Sequence, residues 1–267
     1  MSPRRKPAPP AAREKNRARA KSSAQPRGSR LRAFIVGWLP VIGIVLAVRI
    51  ALAEPYHIPS ESMVPTLLKG DWLYVNKLRY GPHIPFTHAR LPGYATPKAG
   101  DVVVFVSPPQ VPEIRITPTE ITPTLVKRIV GNPGDTLVMR GGQLFVNGTL
   151  DVHSPTSPAA TGTRYDEPDT LFAWQHTIEA RGSRFGTPVR APSVHNWGPL
   201  VVPQGMYFMM GDNRDNSVDS RYYGPVPREN LRGSPMFIYY SYNPDEGLDY
   251  TRALTEIRWR RLGTIIR

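Results

Sequence analysis

Hydrophobic and polar residues divide the chain into a polar start, one long apolar run and a body of short apolar segments. Residues 33–53 are almost wholly apolar, with Arg49 near one end. About 20 residues at 1.5 Å each are enough to cross the ~30 Å hydrocarbon core of a bilayer. The run therefore predicts a single transmembrane helix over residues 33–53.

The body that follows, residues 54–267, reads as a series of short β-strands. Its apolar runs are interrupted by many of the 30 Pro and 22 Gly residues, a pattern typical of sheets and turns. Asn147-Gly148 is a hairpin turn signal. We predict a mainly β body of antiparallel sheets. The expected strands are Trp72–Lys77, Asp101–Val106, Leu125–Val130, Thr136–Met139, Gln143–Val146, Tyr207–Met210, Met236–Tyr240 and Ile257–Ile266.

Three segments between these strands are rich in turn-forming residues. Residues 79–99 are predicted to be a loop, and residues 107–123 an extended, exposed loop. Pro, Ser, Thr and Gly dominate residues 151–200. We interpret residues of about 141–205 as an insertion, a mostly irregular or β subdomain.

The positive charge of the chain is concentrated at its N-terminus. Residues 1–32 hold 11 of the 34 Lys and Arg residues but one of the 21 acidic residues. With Pro, Ala and Ser interleaved, this segment is predicted to be a disordered tail. Beside a membrane segment, we expect it to meet anionic lipid rather than nucleic acid. The positive-inside rule then places residues 1–32 in the cytoplasm and the body on the other side.

A cleaved signal peptide is the alternative interpretation of this start. Basic residues, an apolar run and Ala51-Leu52-Ala53 occur in the expected order. However, the basic region and the apolar run are both too long for a cleaved signal peptide. Arg49 also interrupts the region before the possible cut after Ala53. We expect a retained anchor that is not cut after Ala53.

One serine segment and one lysine segment suggest chemistry. In Ile58–Leu67 (IPSESMVPTL), two prolines stiffen the chain around Ser62 and present its hydroxyl; a proline-rich turn is the alternative. Lys127 interrupts a strand-like apolar run, where burial would lower its pKa and make it a possible base. A solvated strand lysine is the alternative. The chain has no Cys, which excludes disulfides and a thiol nucleophile.

Four segments resemble the sequence boxes of the type I (leader) signal peptidases. They are IPSESMVPTL (58–67), GDVVVF (100–105), VKRIVGNPGD (126–135) and GDNRDNSVDSRYYG (211–224), and they occur in the family's order after a membrane segment. Residues 1–30 and about 141–200 have no such match. Glu61 stands where many members carry a small residue.

The resemblance implies a membrane-anchored serine endopeptidase that cleaves N-terminal signal peptides through an acyl-enzyme. By resemblance, Ser62 is the nucleophile, Lys127 the general base and Ser60 an oxyanion-hole donor. Ser217 would hydrogen-bond to Lys127, while an Asp219–Arg221 ion pair would hold the last box. Asp212, Asn213, Arg214 and Asp215 would form turns.

The implied substrate is an exported precursor with small residues at positions −1 and −3 from the cut. Shallow apolar pockets for it would be lined by Tyr56, Ile58, Met63, Leu67 and Val126. The implied partners are signal peptides and membrane lipid. We expect no cofactor and no metal, because no nucleotide-binding or metal motif is present. A calcium loop at 211–224 fails because Arg214, Ser220 and Val226 replace required residues.

Two other functions were considered. A penicillin-recognising Ser/Lys acyl-transfer enzyme would need S-x-x-K and K-T-G motifs, which are missing. A non-enzymatic, membrane-anchored envelope β-domain would not need Ser62 and Lys127 in matching boxes.

Overall fold

The computed structural model describes residues 32, 34, 36–45, 53–82, 84, 87, 89–115, 119–152, 169–180, 182, 184–244 and 255–267. The chain forms two compact units, residues 1–48 and 49–267. In the first unit, residues 32, 34 and 36–45 are helical. Across all the residues just given, no helix has both the length and the apolar character needed to cross a membrane. Positions 33, 35 and 46–52 of the predicted membrane segment lie outside the described residues.

The second unit contains two antiparallel sheets, which confirms the mainly β prediction. The strands are β1 (Ala53–His57), β2 (Asp71–Asn76), β3 (Val102–Val106), β4 (Thr124–Gly131), β5 (Thr136–Arg140), β6 (Gln143–Val146), β7 (Thr149–Leu150), β8 (Trp197–Val201), β9 (Met206–Met210), β10 (Val226–Pro227) and β11 (Leu231–Ser241). The larger sheet has the order β1-β2-β11-β3-β4-β9-β10, and the smaller sheet has the order β7-β6-β5-β8.

The burial of each strand follows from its sequence pattern. Strand β2 alternates buried and half-buried residues, as expected for a strand with one face on the core. Strands β3 and β4 lie inside the larger sheet, and their apolar runs are buried on both faces. Side chains therefore point from β4 into the protein on both sides, and Lys127 is one of them.

The smaller sheet overlaps the predicted insertion. Its hairpin between β6 and β7 turns at Asn147 and Gly148, which both have positive φ (51° and 84°). A two-residue turn of this kind requires such angles, and Asn-Gly tolerates them best. Besides β8, the described part of the segment from 151 to 200 contains a 3₁₀ helix at Asp169–Thr177.

Two predictions about local structure are wrong. Ile257–Ile266 is not a closing strand: it holds a 3₁₀ turn at Trp259–Arg261 and pairs with other strands only through isolated bridges. Arg261 binds the buried carboxylate of Asp71 (3.0 and 2.6 Å), which fixes a turn where an extended strand was expected.

The segment 107–123 is not simply an exposed loop. Ser107, Gln110 and Ile114 are buried, and Pro112–Ile114 forms a 3₁₀ turn. The strands β1, β7, β8 and β10 were not expected from the sequence, because β1 and β8 contain a proline and β7 and β10 have only two residues each.

Candidate active site

Ser62 lies in a tight turn between β1 and β2. Ile58 pairs with the start of β2 through two backbone hydrogen bonds, to Asp71 (2.8 Å) and from Gly70 (2.9 Å). Met63 and Leu67 point into the core and are 2% and 0% exposed. These apolar anchors on either side hold Ser62 in place, and its side chain is 8% exposed.

Lys127 projects from the middle of β4 and reaches this serine. Its Nζ lies 2.5 Å from Ser62 Oγ, although 65 residues separate the two in sequence. Lys127 is 3% exposed, so the solvated strand lysine considered above is excluded. The structure therefore brings together the two residues that the sequence proposed as nucleophile and base.

The surroundings of Lys127 favour its neutral form. Burial lowers the pKa of Lys127 from 10.5 to about 8, and the positive charge of Arg221 acts in the same direction. Asp219 and Asp212 oppose this effect without cancelling it. A lysine with such a pKa can accept a proton near neutral pH.

The hydroxyl of Ser60 is also close to the dyad. Its Oγ lies 3.4 Å from Ser62 Oγ, and Ser60 is exposed to solvent. A donor at this position faces the space where a substrate carbonyl would meet Ser62. The geometry is compatible with the oxyanion role implied by the resemblance.

The Asp219–Arg221 ion pair is present and completely buried. Arg221 Nε and Nη2 bind the two carboxylate oxygens of Asp219 at 2.8 and 2.9 Å. Burial alone would raise the pKa of Asp219, but the charge and hydrogen bonds of Arg221, together with hydrogen bonds from Gly211 and Ser217, hold that pKa below its usual range. Arg221 also donates to Arg214 O (2.6 Å), so the pair ties together the loop that follows β9.

Ser217 does not make the hydrogen bond predicted for it. Its hydroxyl is buried and makes no hydrogen bond to Lys127; it acts on Asp219 instead, where it helps to lower the pKa of the carboxylate, so it does not orient Lys127. The loop still packs directly against the nucleophile, because a Cβ on Gly211 would lie 2.3 Å from Ser217 Oγ and 2.4 Å from Ser62 O. Only glycine fits between these two groups.

A cavity of about 350 Å³ opens on the dyad. Four of the five predicted pocket residues, Tyr56, Ile58, Met63 and Val126, line it. Leu67 does not: it is fully buried in the core with Leu73 and Val75, because the turn directs its side chain under the sheet. The sequence did not indicate the walls that Glu120 and Pro123–Leu125 add to the cavity.

Comparison with known proteins identifies the family. The family model described as "Signal peptidase, peptidase S26" matches residues 31–240. The chain belongs to this signal peptidase family. Signal peptidase I of Pseudomonas aeruginosa is 37% identical over 221 residues, which make up 78% of this chain and 72% of that protein. Signal peptidase I of Aquifex aeolicus is 33% identical and covers 79% of this chain and 85% of its own length.

A further relative matches a larger share of the chain. Signal peptidase I of Buchnera aphidicola subsp. Baizongia pistaciae is 30% identical over 273 residues, 92% of this chain and 87% of that protein. These matches confirm the family recognised from the four boxes. They also confirm that the chain is a serine endopeptidase of the signal peptidase type.

In this member of the signal peptidase family, a second buried ion pair lies beside the dyad. Arg128 binds both carboxylate oxygens of Asp212 at 2.8 and 2.7 Å, and Thr66 donates to Asp212 at 2.5 Å. Asp212 was expected to form a turn, and the sequence pattern indicated no role for Arg128. The sequence did contain one signal. Arg128 stands next to Lys127 in a strand with a buried apolar pattern, and a buried Arg needs an acidic partner.

Proposed function

We propose that this chain removes N-terminal signal peptides from exported precursors, with Ser62 as nucleophile and Lys127 as general base. The observation that carries the proposal is the 2.5 Å contact between Lys127 Nζ and Ser62 Oγ at the floor of an open cavity. A buried amine next to a serine hydroxyl has no structural advantage, since the charged form is costly to bury. It is useful as a base.

Acylation begins with neutral Lys127. Its amine takes the proton of the Ser62 hydroxyl while Oγ attacks the carbonyl carbon of the scissile bond. Negative charge develops on the carbonyl oxygen, where the Ser60 hydroxyl and the Ser62 backbone N–H donate hydrogen bonds. The C–N bond then breaks, and Lys127 returns its proton to the leaving amine of the mature protein.

Deacylation uses the same base. Lys127, neutral again, takes a proton from a water molecule that attacks the ester formed with Ser62. The ester bond breaks, the proton returns to Ser62 Oγ, and the signal peptide leaves as a carboxylate. The Asp219–Arg221 pair holds the neighbouring loop and stays outside the proton transfers.

The cavity supports a substrate with small side chains before the cut. Ile58, Met63 and Val126 make its walls apolar, and its volume of about 350 Å³ leaves little room for bulky residues beside a bound backbone. A substrate in extended form would lie along β4 and the serine segment as an added strand. Small residues at positions −1 and −3 would then point into the cavity.

The proposal includes a membrane anchor at residues 33–53 and a cytoplasmic tail at residues 1–32. The apolar composition of the segment supports it, and the apolar side chains of residues 36–45 are exposed. The body, including the insertion of about 141–205, would lie on the extracytoplasmic side of the inner membrane. Anionic lipid would meet the basic tail.

The test uses the full chain in detergent with a precursor peptide that carries a small-x-small site. We expect one cut after that site, confirmed by product masses. Ser62→Ala and Lys127→Arg should both abolish cleavage, because a guanidinium does not lose its proton in proteins. Lys98→Arg, at an exposed lysine, is the matched control and should keep wild-type activity.

The Arg variant decides the role of Lys127. General-base loss is worth about 10²–10⁴ in rate. If Lys127→Arg cleaves within tenfold of wild type while folded, Lys127 is not the base. Loss of cleavage in Lys98→Arg as well would point to a general effect of the substitution.

A further inference from the structure

A groove that is separate from the cavity also lies next to the nucleophile. It has a volume of about 620 Å³ and is lined by Glu61, Val64, Lys69, Asn213, Asn243 and Arg258, among others. We propose that this polar groove binds the first residues of the mature protein, immediately after the scissile bond, and selects precursors by their charge. This inference rests on the proposed function. It concerns the part of the substrate after the scissile bond, which the cavity does not hold.

The polar groove is attached to the segment that carries the nucleophile. The backbone N–H of Asn213 donates to Ser62 O at 3.1 Å, and its side-chain amide donates to Glu61 O at 3.2 Å. Ser62 and Glu61 are adjacent residues, yet Ser62 lines the cavity and Glu61 lines the groove. The two depressions therefore meet at the serine segment.

A bound precursor must pass through both. Its scissile carbonyl lies at Ser62, and each extended residue covers about 3.3–3.6 Å, so the chain leaves the cavity within a residue or two of the cut. The apolar cavity suits the small residues of the signal peptide. The mature side, which begins at the leaving amine, then follows the polar groove.

Charges in the groove are arranged unevenly. Glu61 is next to the nucleophile in sequence, exposed, and without an ion-pair partner in the part of the chain that the structure describes. Lys69 and Arg258 also line the groove, and Arg258 Nη2 donates to Lys69 O at 2.6 Å. Of these three charged residues, the acidic one is the direct sequence neighbour of the nucleophile.

This arrangement predicts a charge preference on the mature side. A basic residue close to the cut would be attracted by Glu61, and an acidic one would be repelled. The preference should be about twofold to fivefold, which corresponds to about 0.4–1 kcal/mol and lies within the contribution of exposed charge pairs. Because the groove is open to solvent, added salt should weaken it.

The experiment measures kcat/KM for two precursor peptides that differ only at the second mature residue, Lys or Glu. At low salt, we expect full-length wild type to favour the Lys peptide by about twofold to fivefold. Glu61→Gln should bring the ratio close to one, and Glu61→Lys should invert it. Glu229→Gln, at an exposed glutamate that lines neither depression, is the matched control and should keep the wild-type ratio.

The outcomes separate this inference from the proposed function. A wild-type ratio of one, an unchanged ratio in folded Glu61→Gln, or an equal change in Glu229→Gln would each overturn the charge selection while leaving signal peptide cleavage intact. If wild type cleaves neither peptide, the proposed function fails and this inference fails with it. Thermal unfolding of each variant shows that the compared proteins are folded.

Discussion

The amine of Lys127 sets the pH at which the site can work. At a pKa of about 8, roughly a tenth of the enzyme holds the neutral amine at pH 7 and about half at pH 8. Burial is the main cause of the lowered pKa, and it is the same feature that shields the dyad from water. Lys127 is therefore both the proposed base and a residue that destabilises the folded state.

We predict that kcat/KM rises with pH, is half-maximal near pH 8 and levels off above about pH 9. The neutral amine is the active form, so the rate follows its fraction, and kcat/KM reports the free enzyme. The measurement is a pH profile of precursor cleavage between pH 5 and 10. A flat profile across this range, with the enzyme folded throughout, would show that Lys127 does not act as the base.

Replacing Lys127 with Met should stabilise the protein at pH 7. The folded state binds the Lys127 proton less tightly than the unfolded state, so this residue costs stability below about pH 8 and the cost fades towards pH 10.5. We expect a gain of about 1–3 kcal/mol in the free energy of unfolding at pH 7. Denaturant unfolding at pH 7 and pH 10 measures it, and the gain should shrink at the higher pH. A less stable Met variant at pH 7 would contradict the account.

At the scale of elements, the loop after β9 is held by two buried ion pairs and packed against the serine segment. Arg221 is 0% exposed, so a change at Asp219 leaves an unpaired charge inside the protein. Such a loss costs about 3–5 kcal/mol. The loop therefore acts as a rigid wall behind Ser62 and Lys127.

We predict strong coupling between Asp219 and Arg221. Asp219→Asn and Arg221→Gln should each destabilise the fold by about 3–5 kcal/mol, and the double variant should lose less than the sum. Denaturant unfolding of the four proteins measures the coupling. The half-buried Lys77–Glu54 pair (2.6 Å), which is much more open to solvent, is the matched control, with coupling below about 1 kcal/mol. If the losses of stability in the two single variants simply add in the double variant, the Asp219–Arg221 ion pair does not hold the loop as described.

Gly211→Ala should impair the site without removing any catalytic group. The added methyl would lie 2.4 Å from Ser62 O and 2.3 Å from Ser217 Oγ, so the loop or the serine must move. A displacement of about 1 Å can lower the rate about 10²-fold. Cleavage kinetics measure this effect. Gly43→Ala, where nothing lies within 4 Å, is the control; equal activity in both variants would show that the close approach is unimportant.

At the scale of the whole molecule, the uneven charge predicts one orientation in the membrane. The basic tail should stay in the cytoplasm, and the body should face outwards. Protease added to intact spheroplasts should therefore degrade the body and spare residues 1–32. A tag at each end, followed by immunoblotting, reads out the result.

Protection of the body in that experiment would reverse the proposed orientation. The intact mass of the membrane-extracted protein checks the anchor as well. A chain that begins at Glu54 would show that the predicted anchor is removed rather than retained.

Local patterns in the sequence predicted the mainly β fold, and the family resemblance predicted the pairing of Ser62 with Lys127. Strands β2 to β6, β9 and the Asn147-Gly148 hairpin follow from local patterns, because alternation and turn chemistry act between near neighbours in the chain. Ser62 and Lys127 could be proposed because their boxes match a family. Their closeness could not be calculated from spacing, since 65 residues separate them.

The pairing of buried polar groups and the directions of several side chains depend on contacts that form only in the folded protein. Arg128 and Asp212 form a buried pair across 84 residues, Ser217 lacks its predicted bond, and Leu67 packs into the core away from the cavity. Arg261 turned an expected strand into a 3₁₀ turn by reaching Asp71. For Arg128 and Arg261 the deciding partner is distant in sequence, and a buried charge takes the position that satisfies it only when the sheets have packed.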